Sequence, residues 1–274
     1  MPDHSLQEHP FRIEPGRKVD VTSLPTTDES LFPMEKKEGE ELMKTFAREI
    51  DELQTRIYAE GKHRLLVIFQ AMDTGGKDGV IRNVFDKMDP QGIRVASFKR
   101  PSPLELAHDY LWRIHQEVPQ NGDVVIFNRS HYEDILAVRV RDIFPKERWE
   151  KRYGHIVNFE QMLADEGTTI LKFFLNISKD EQKRRLQARL DDSEKLWKFN
   201  PGDLDDRALW PKFMEAYSDV LSKTSTVSAP WYAVPADRKW YRDLVVADIV
   251  IKTLKGLGMK YPKVDFDPKA IKID

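Results

Sequence analysis

The sequence predicts a three-layer α/β/α domain with a parallel central sheet, and three observations carry that expectation. Short apolar runs recur along the chain, separated by amphipathic stretches of ten or more residues, the alternation that βαβ units produce. The runs are continuous rather than alternating, as strands buried on both faces are. A glycine-rich loop follows the first of the long runs, at a strand end where such sheets bind ligands.

The elements are expected in the following order. Residues 1–33 carry Pro10, Pro15, Pro25 and Pro33 among polar residues without periodicity and read as an extended arm. From Met34 to Glu60, the residues Leu42, Met43, Phe46, Ile50, Leu53 and Ile57 recur at three- and four-residue steps, which makes an amphipathic helix. Leu65–Gln70 is a buried strand, Lys77–Lys87 a helix, Arg94–Phe98 a short strand and Leu104–Glu117 a helix. Val124–Phe127 forms the next strand after an Asn121–Asp123 turn, with helical stretches to about Glu166. Thr168–Asn176 is a strand, Lys179–Leu190 a basic helix, Trp231–Val234 the last strand and Trp240–Leu257 the closing helix. No internal repeat divides the chain, so residues 34–274 are expected to form one domain.

Composition narrows the function. The chain of 274 residues has no cysteine, which removes disulfide scaffolds, thiolate zinc sites, iron–sulfur clusters and thiol nucleophiles. No apolar run is long enough for a membrane helix, and the N-terminal MPDHSLQEHPFRIEPGRK lacks the apolar stretch of a secretory signal. A cytoplasmic protein without membrane attachment is expected. Forty-four Lys and Arg balance 46 Asp and Glu, for a net charge of −2. That balance argues against a nucleic-acid partner, but a cleft that gathers basic residues can still hold a polyanion. The histidines show no HxH or HExxH spacing for zinc, and no GxSxG elbow supports a serine hydrolase.

The chemistry is concentrated in Ala71-Met72-Asp73-Thr74-Gly75-Gly76-Lys77-Asp78-Gly79. A loop between strand and helix, with glycines that let backbone amides curl around phosphate oxygens and a lysine to add charge, is a phosphate-binding loop. Ala71 stands where the GxxxxGK[ST] pattern has its first Gly, and Asp78 where it has Ser or Thr. Asp73 compensates: a carboxylate among phosphate oxygens repels them unless a hard cation lies between, which implies Mg2+, with Mn2+ as a substitute. Asn128-Arg129-Ser130-His131-Tyr132-Glu133-Asp134 emerges from the next long strand. Arg129 suits a clamp on a transferring phosphoryl group, and Glu133 lies within reach of a metal. The competing reading makes Arg129 a helix cap paired with Glu133.

Together AMDTGGKDG and FNRSHYED resemble the polyphosphate kinase 2 family, and the Asn before Arg129 with the following HYED resembles its class III branch. The similarity continues through Phe98-Lys99-Arg100-Pro101, Ala164–Gln182 and Ala229-Pro230-Trp231-Tyr232. The resemblance implies a thymidylate-kinase-like P-loop kinase fold with a helical lid, here at roughly 183–215. It implies reversible, Mg2+-dependent transfer of phosphate from inorganic polyphosphate to AMP and ADP, yielding ADP and ATP, in a homodimer or homotetramer. By the same resemblance Asp73 is the metal-holding aspartate, Lys77 the phosphate lysine, Arg129 the second-strand arginine and Arg189 a lid arginine on phosphates. Asn128 stands where the class I form has Asp, which argues against a base there and points to Asp73.

Further phosphate- or nucleotide-binding candidates are Thr74, Gly75, Gly76, Asp78, Gly79 and Asn128 in the two motifs, Lys99 and Arg100 at a strand end, and Arg185 with Arg189, four apart on one helix face. The basic helix also reads as a solvated helix with Asp180 and Arg184 paired. Trp210, Phe213 and Tyr217 fall at helical spacing and read as core, Trp197 and Phe199 as lid, and His131 as either a phosphate contact or a packing residue. The alternative function is an ATP-dependent nucleoside monophosphate kinase of the same fold, whose loop would carry Ser or Thr at the position of Asp78.

Overall fold

The computed structural model describes residues 8–273. β1 (Arg12–Ile13) is followed by α1 (Lys36–Glu60), which a reciprocal Glu35–Glu38 capping box starts and Gly61 in the left-handed conformation ends. Then come β2 (Arg64–Gln70), α2 (Lys77–Phe85), β3 (Ile93–Ser97), α3 (Pro103–Leu106), α4 (Trp112–His115) and β4 (Val124–Asn128). The second half holds α5 (Glu133–Val140), α6 (Lys146–Trp149), α7 (Arg152–Asp165), β5 (Thr168–Asn176) and α8 (Lys179–Leu190). It closes with α9 (Gly202–Ala208), α10 (Trp210–Thr224), β6 (Trp231–Pro235) and α11 (Lys239–Gly256).

The strands form one six-stranded sheet in the order β1-β6-β5-β2-β4-β3. β2 to β6 are mutually parallel, but β1 runs antiparallel to β6, so the sheet is mixed rather than wholly parallel. Two apolar layers follow from the period-2 alternation of side chains. Leu65, Val67 and Phe69 face α1, α2 and α11, where Phe69 stacks on Phe173 at 5.2 Å. Leu66 and Ile68 face α5, α7 and α10 on the other side. Both faces of β2 are therefore buried, as its continuous apolar run requires.

Residues 8–33, expected as an extended arm, pack along their own domain; residues 1–7 lie outside the described residues. Phe11, Ile13, Val19 and Val21 are buried. The Val19 and Val21 amides donate to Ser222 Oγ and Ser218 Oγ on α10 at 2.8 and 3.1 Å. The helix expected over 104–117 is instead two single turns, α3 and α4. Asp109 breaks it, because its Oδ1 accepts the Leu111 amide at 2.9 Å and its carbonyl accepts that of Trp112, closing a local turn in place of helical bonds. The helical stretches expected after β4 are three helices, α5, α6 and α7. Phe213 and Tyr217 are buried on α10 beneath the sheet, as their spacing predicts.

His131 is a packing residue. It is fully buried, with Nε2 3.1 Å from Glu160 Oε1. Glu160 in turn accepts from Lys172 Nζ at 2.6 Å and from the Tyr132 hydroxyl at 2.8 Å, and Lys172 also donates to the Thr224 carbonyl at 2.7 Å. This charged cluster lies between α7 and the centre of β5, away from water, so each member depends on the others. Replacing Lys172 with Met alone should cost about 3–5 kcal/mol in urea unfolding, since it strands a buried carboxylate. Adding Glu160→Leu should recover most of the loss, and a single variant of wild-type stability would contradict the account.

Candidate active site

The site forms where β2 and β4 end side by side. Their register sets Phe69 opposite Asn128, so the loop 71–79 and the segment 129–133 leave the sheet together. In the loop, the Gly75 amide donates to the Met72 carbonyl at 2.9 Å and the Val80 amide to Gly76 O at 3.0 Å, which turns the chain directly into α2. Gly76 is required twice over: its φ is +97°, and a Cβ there would lie 2.0 Å from Arg242 Nη1. Thr74 and Arg129, neither of them glycine, also sit at positive φ, 61° and 63°. Such conformations persist where the surrounding structure imposes them, and here they occur on both sides of one cleft.

Asp73, Lys77 and Arg129 converge in this cleft. Arg129 Nη2 donates to Asp73 Oδ1 at 2.8 Å, so the competing pair with Glu133 is not the direct contact. Lys77 is buried and donates through Nζ to the Ala71 carbonyl at 3.0 Å. Burial pushes the Lys77 ammonium down and the charge of Arg129 pushes it further, while Asp73, Glu133 and Asp78 hold it up. Glu133, the first residue of α5, is pushed up by burial against the pull of Arg129 and Lys77. Gln70, with its amide oriented to satisfy both ends, donates to Glu133 Oε1 at 2.9 Å. Asn128 donates to Asp78 Oδ1 at 2.6 Å and ties the second strand to the loop. Among the described residues no group of three His, Cys, Asp or Glu forms a self-sufficient metal cage.

A cavity of 590 Å³ opens beside Asp73 and Arg129. Lys99 and Arg100 line it past the end of β3, while Phe98, Phe144, Phe213 and Tyr217 give it apolar walls. The sequence missed Arg113, which is buried behind it and donates to the Lys99 carbonyl at 2.9 Å and to Asp134 Oδ2 at 3.2 Å. A second cavity of 500 Å³ adjoins it, where Arg148 lies over the Phe144 ring at 3.8 Å. This arrangement suits a ligand with an anionic end toward the loop and a planar, apolar end farther out.

The basic helix α8 behaves differently from the open phosphate-binding face expected of it. Arg185 is buried, and its three guanidinium nitrogens are engaged by Glu181 (2.6 Å), the Thr74 carbonyl (3.0 Å) and the Ala236 carbonyl (2.6 Å). It braces the loop from behind. Arg184 pairs with Glu181 rather than with Asp180. Arg189 donates to the Lys198 carbonyl at 2.9 Å and lies 3.4 Å from Asp203 on α9. Neighbouring Asp206 accepts from Arg141 at 2.6 Å and lines the 590 Å³ cavity. Arg207 donates to Gln182 Oε1 at 3.0 Å, and Gln182 donates to the Asp73 carbonyl at 3.1 Å, so α9 is linked to the loop through α8. Trp197 projects into solvent. The roles of Arg113, Arg141 and Asp206 depend on distant partners, and no local motif marks them.

Residues 33–262 match the family described as Polyphosphate kinase 2 (PPK2). An AMP/ADP-polyphosphate phosphotransferase of Meiothermus ruber is 53% identical over 264 residues, covering 96% of this chain and 99% of that protein. An ADP-polyphosphate phosphotransferase of Rhodopseudomonas palustris is 46% identical over 265 residues, covering 92% and 91%. The crystal structure of polyphosphate kinase 2 from Arthrobacter aurescens superposes with a TM-score of 0.92 at 44% identity, over 96% of this chain and 93% of that one.

Asp203 gives the site a pH signature. Burial, helped by the charge of Asp73, pushes its carboxyl up to about 6. A carboxyl raised in the folded state opposes folding when ionised, so its penalty is absent below the unfolded value and complete above pH 6. Stability should therefore fall as pH rises from about 4 to 6. Asp203→Asn should flatten that part of the curve in scanning calorimetry, and parallel curves for variant and wild type would refute the assignment.

Proposed function

The chain belongs to the polyphosphate kinase 2 family and is a polyphosphate-dependent nucleotide kinase acting on AMP and ADP, and we propose that the transfer takes place between loop 71–79 and Arg129, with Asp73, Lys77 and Arg129 as catalytic residues. The observation that carries this assignment is the convergence of those three side chains at the adjoining ends of β2 and β4, with Arg129 held 2.8 Å from Asp73.

The physical problem is the meeting of two polyanions. A nucleotide phosphate oxygen forms a bond to the terminal phosphorus of the polyphosphate while the bond to the next phosphate breaks, and the shortened chain leaves as an anion. The attacking phosphate is already ionised at neutral pH, so positioning and charge neutralisation suffice around a loose transition state. The amides of Thr74, Gly76, Asp78 and Gly79 would cradle the transferred group at the start of α2, with Gly75 forming the turn that presents them. Lys77 has its charge opposed by Arg129 and little water around it, a deficit that an incoming phosphate relieves. Arg129 keeps part of its guanidinium fork available for the transferring group. Asn128 fixes Asp78 rather than acting as a base.

Lys99 and Arg100 would meet the phosphate end of the acceptor in the 590 Å³ cavity, with its base against the aromatic walls. Arg185 supports the loop, and Arg189 holds α9 over the site with Asp203. Asp73 and Glu133 fit Mg2+, or Mn2+ in its place, because such an ion needs only one or two carboxylates beside phosphate oxygens and waters. Bound there, the ion would neutralise charge across the reacting phosphates. A homodimer or homotetramer belongs to the same reading, and the exposed side chains of Tyr261, Val264, Phe266 and Ile271 offer surface for it. None of the described helices is long and apolar enough to cross a membrane, and we place the enzyme in the cytoplasm, with no nucleic-acid partner.

A coupled ATP assay with Mg2+, long-chain polyphosphate and either AMP or ADP tests the reading. Both starts should yield ATP, and Asp73→Asn or Lys77→Ala should each cost about a hundredfold or more in turnover with folding intact. Near-normal turnover in either variant would sink the site, and activity with ATP alone as donor would hand the chain to the nucleoside monophosphate kinases.

A further inference from the structure

The 590 Å³ cavity holds one arginine to which the reaction assigns no task. Arg141 caps the C-terminal end of α5 and lines the cavity beside Phe144. The arginines nearest to it in the fold are committed elsewhere. Arg113 is buried, with its donors on the Lys99 carbonyl and on Asp134. Arg139, two residues earlier on α5, spends its fork on Asp219, Glu215 and the Tyr153 hydroxyl. Arg141 instead leaves 50% of its side chain exposed. Asp206 Oδ2, 2.6 Å from Nη2, is the one hydrogen-bond partner of its guanidinium among the described residues. The rest of the fork stays open, in the geometry that takes a phosphate through two oxygens at once.

The second observation is the identity of that partner. Asp206 belongs to α9, and the same short helix carries Asp203. Both side chains are buried. Burial pushes each carboxyl up, and the Asp73 carboxylate pushes in the same direction. Against this, each is held by the arginine it pairs with, Arg189 for Asp203 and Arg141 for Asp206. The helix thus carries negative charge toward a cleft whose substrates are all anions. Such charge hinders a nucleotide phosphate, but it balances the cations that the phosphate would otherwise find unpaired.

We infer that Arg141 is a binding residue for a phosphate of the nucleotide acceptor, and that Asp206 stands in for that phosphate until the acceptor arrives. The inference rests on the acceptor occupying the 590 Å³ cavity and adds which side chain receives it there. An incoming phosphate takes the Arg141 fork through two oxygens where Asp206 offers a single contact, and Asp206 is released. One tie between α9 and the cavity wall is then lost. The ties from α9 to α8, through Asp203 with Arg189 and Arg207 with Gln182, do not involve Arg141.

Single and double variants separate this exchange from a clasp that merely holds α9 in place. At saturating polyphosphate and Mg2+, Arg141→Gln should raise the KM for AMP and for ADP about tenfold and leave the KM for polyphosphate within about twofold. Asp206→Asn should lower the acceptor KM about threefold, because it removes an internal competitor. Arg141→Lys should recover part of the loss. Arg141→Gln/Asp206→Asn should match Arg141→Gln, since nothing is left to compete for. A mere clasp predicts that both single variants shift the acceptor KM in the same direction, and that result would overturn the inference. So would an acceptor KM unchanged in Arg141→Gln while Lys99→Gln/Arg100→Gln raises it, an outcome that leaves the acceptor cavity standing. Acceptor KM values unchanged in both of those variants would overturn the cavity as well.

Discussion

Phe69 of β2 lies opposite Asn128 of β4, and parallel strands keep such a register along their whole length. The two segments that leave the sheet at that level therefore cannot drift apart. Asp73 and Arg129, 56 residues apart in sequence, meet at 2.8 Å because the strands that carry them end together. Other site contacts follow from the same constraint: Asn128 reaches Asp78, and Gln70 at the tip of β2 reaches the segment after β4. A slip of one residue would turn the buried faces of these strands outward, so the packing that stabilises the sheet also fixes the geometry of the site.

Charge at this end of the sheet is arranged in two tiers. The innermost cations, Lys77 and Arg129, repel each other and share Glu133 and Asp73. Behind them Arg185 binds main-chain oxygens of Thr74, Ala236 and Asp237, tying the loop to the segment between β6 and α11. A guanidinium used in this way adds positive potential while leaving the geometry rigid. Substrate phosphates can then be bound by a site already assembled, without the cost of ordering it at the moment of reaction.

The sequence resolved most strongly what is local. Thr168–Asn176 and Lys179–Leu190 are legible to the residue, the first because a strand buried on both faces leaves a continuous apolar run; the structure adds that Ser178 caps the second. The phosphate loop and Arg129 were legible as motifs. The split between α3 and α4 was hidden because it turns on one aspartate accepting two amides, a choice that residue type alone does not dictate. Arg185 reads as a phosphate ligand on a basic helix, and only its bonds to Thr74 and Ala236, from distant segments, reveal a brace. Arg242 sits in an apolar closing helix with no local mark at all, and its significance comes entirely from Gly76, which it nearly touches. β1 is two residues long and carries no strand pattern of its own; β6 induces it.

That induced strand has a consequence for the order in which the protein comes into being. The amide of Val19 waits for Ser222, 203 residues later, and Arg12 and Ile13 wait for Tyr232 and Trp231. The arm is made before its partners and has nothing to dock on until they are in place. Contacts of such long sequence separation carry a loop-closure cost before they stabilise anything. Until then β6 is an open edge, the kind of surface on which nascent chains pair with one another. Paired with β6, the arm covers an edge that would otherwise stay open, and by doing so it seals the sheet.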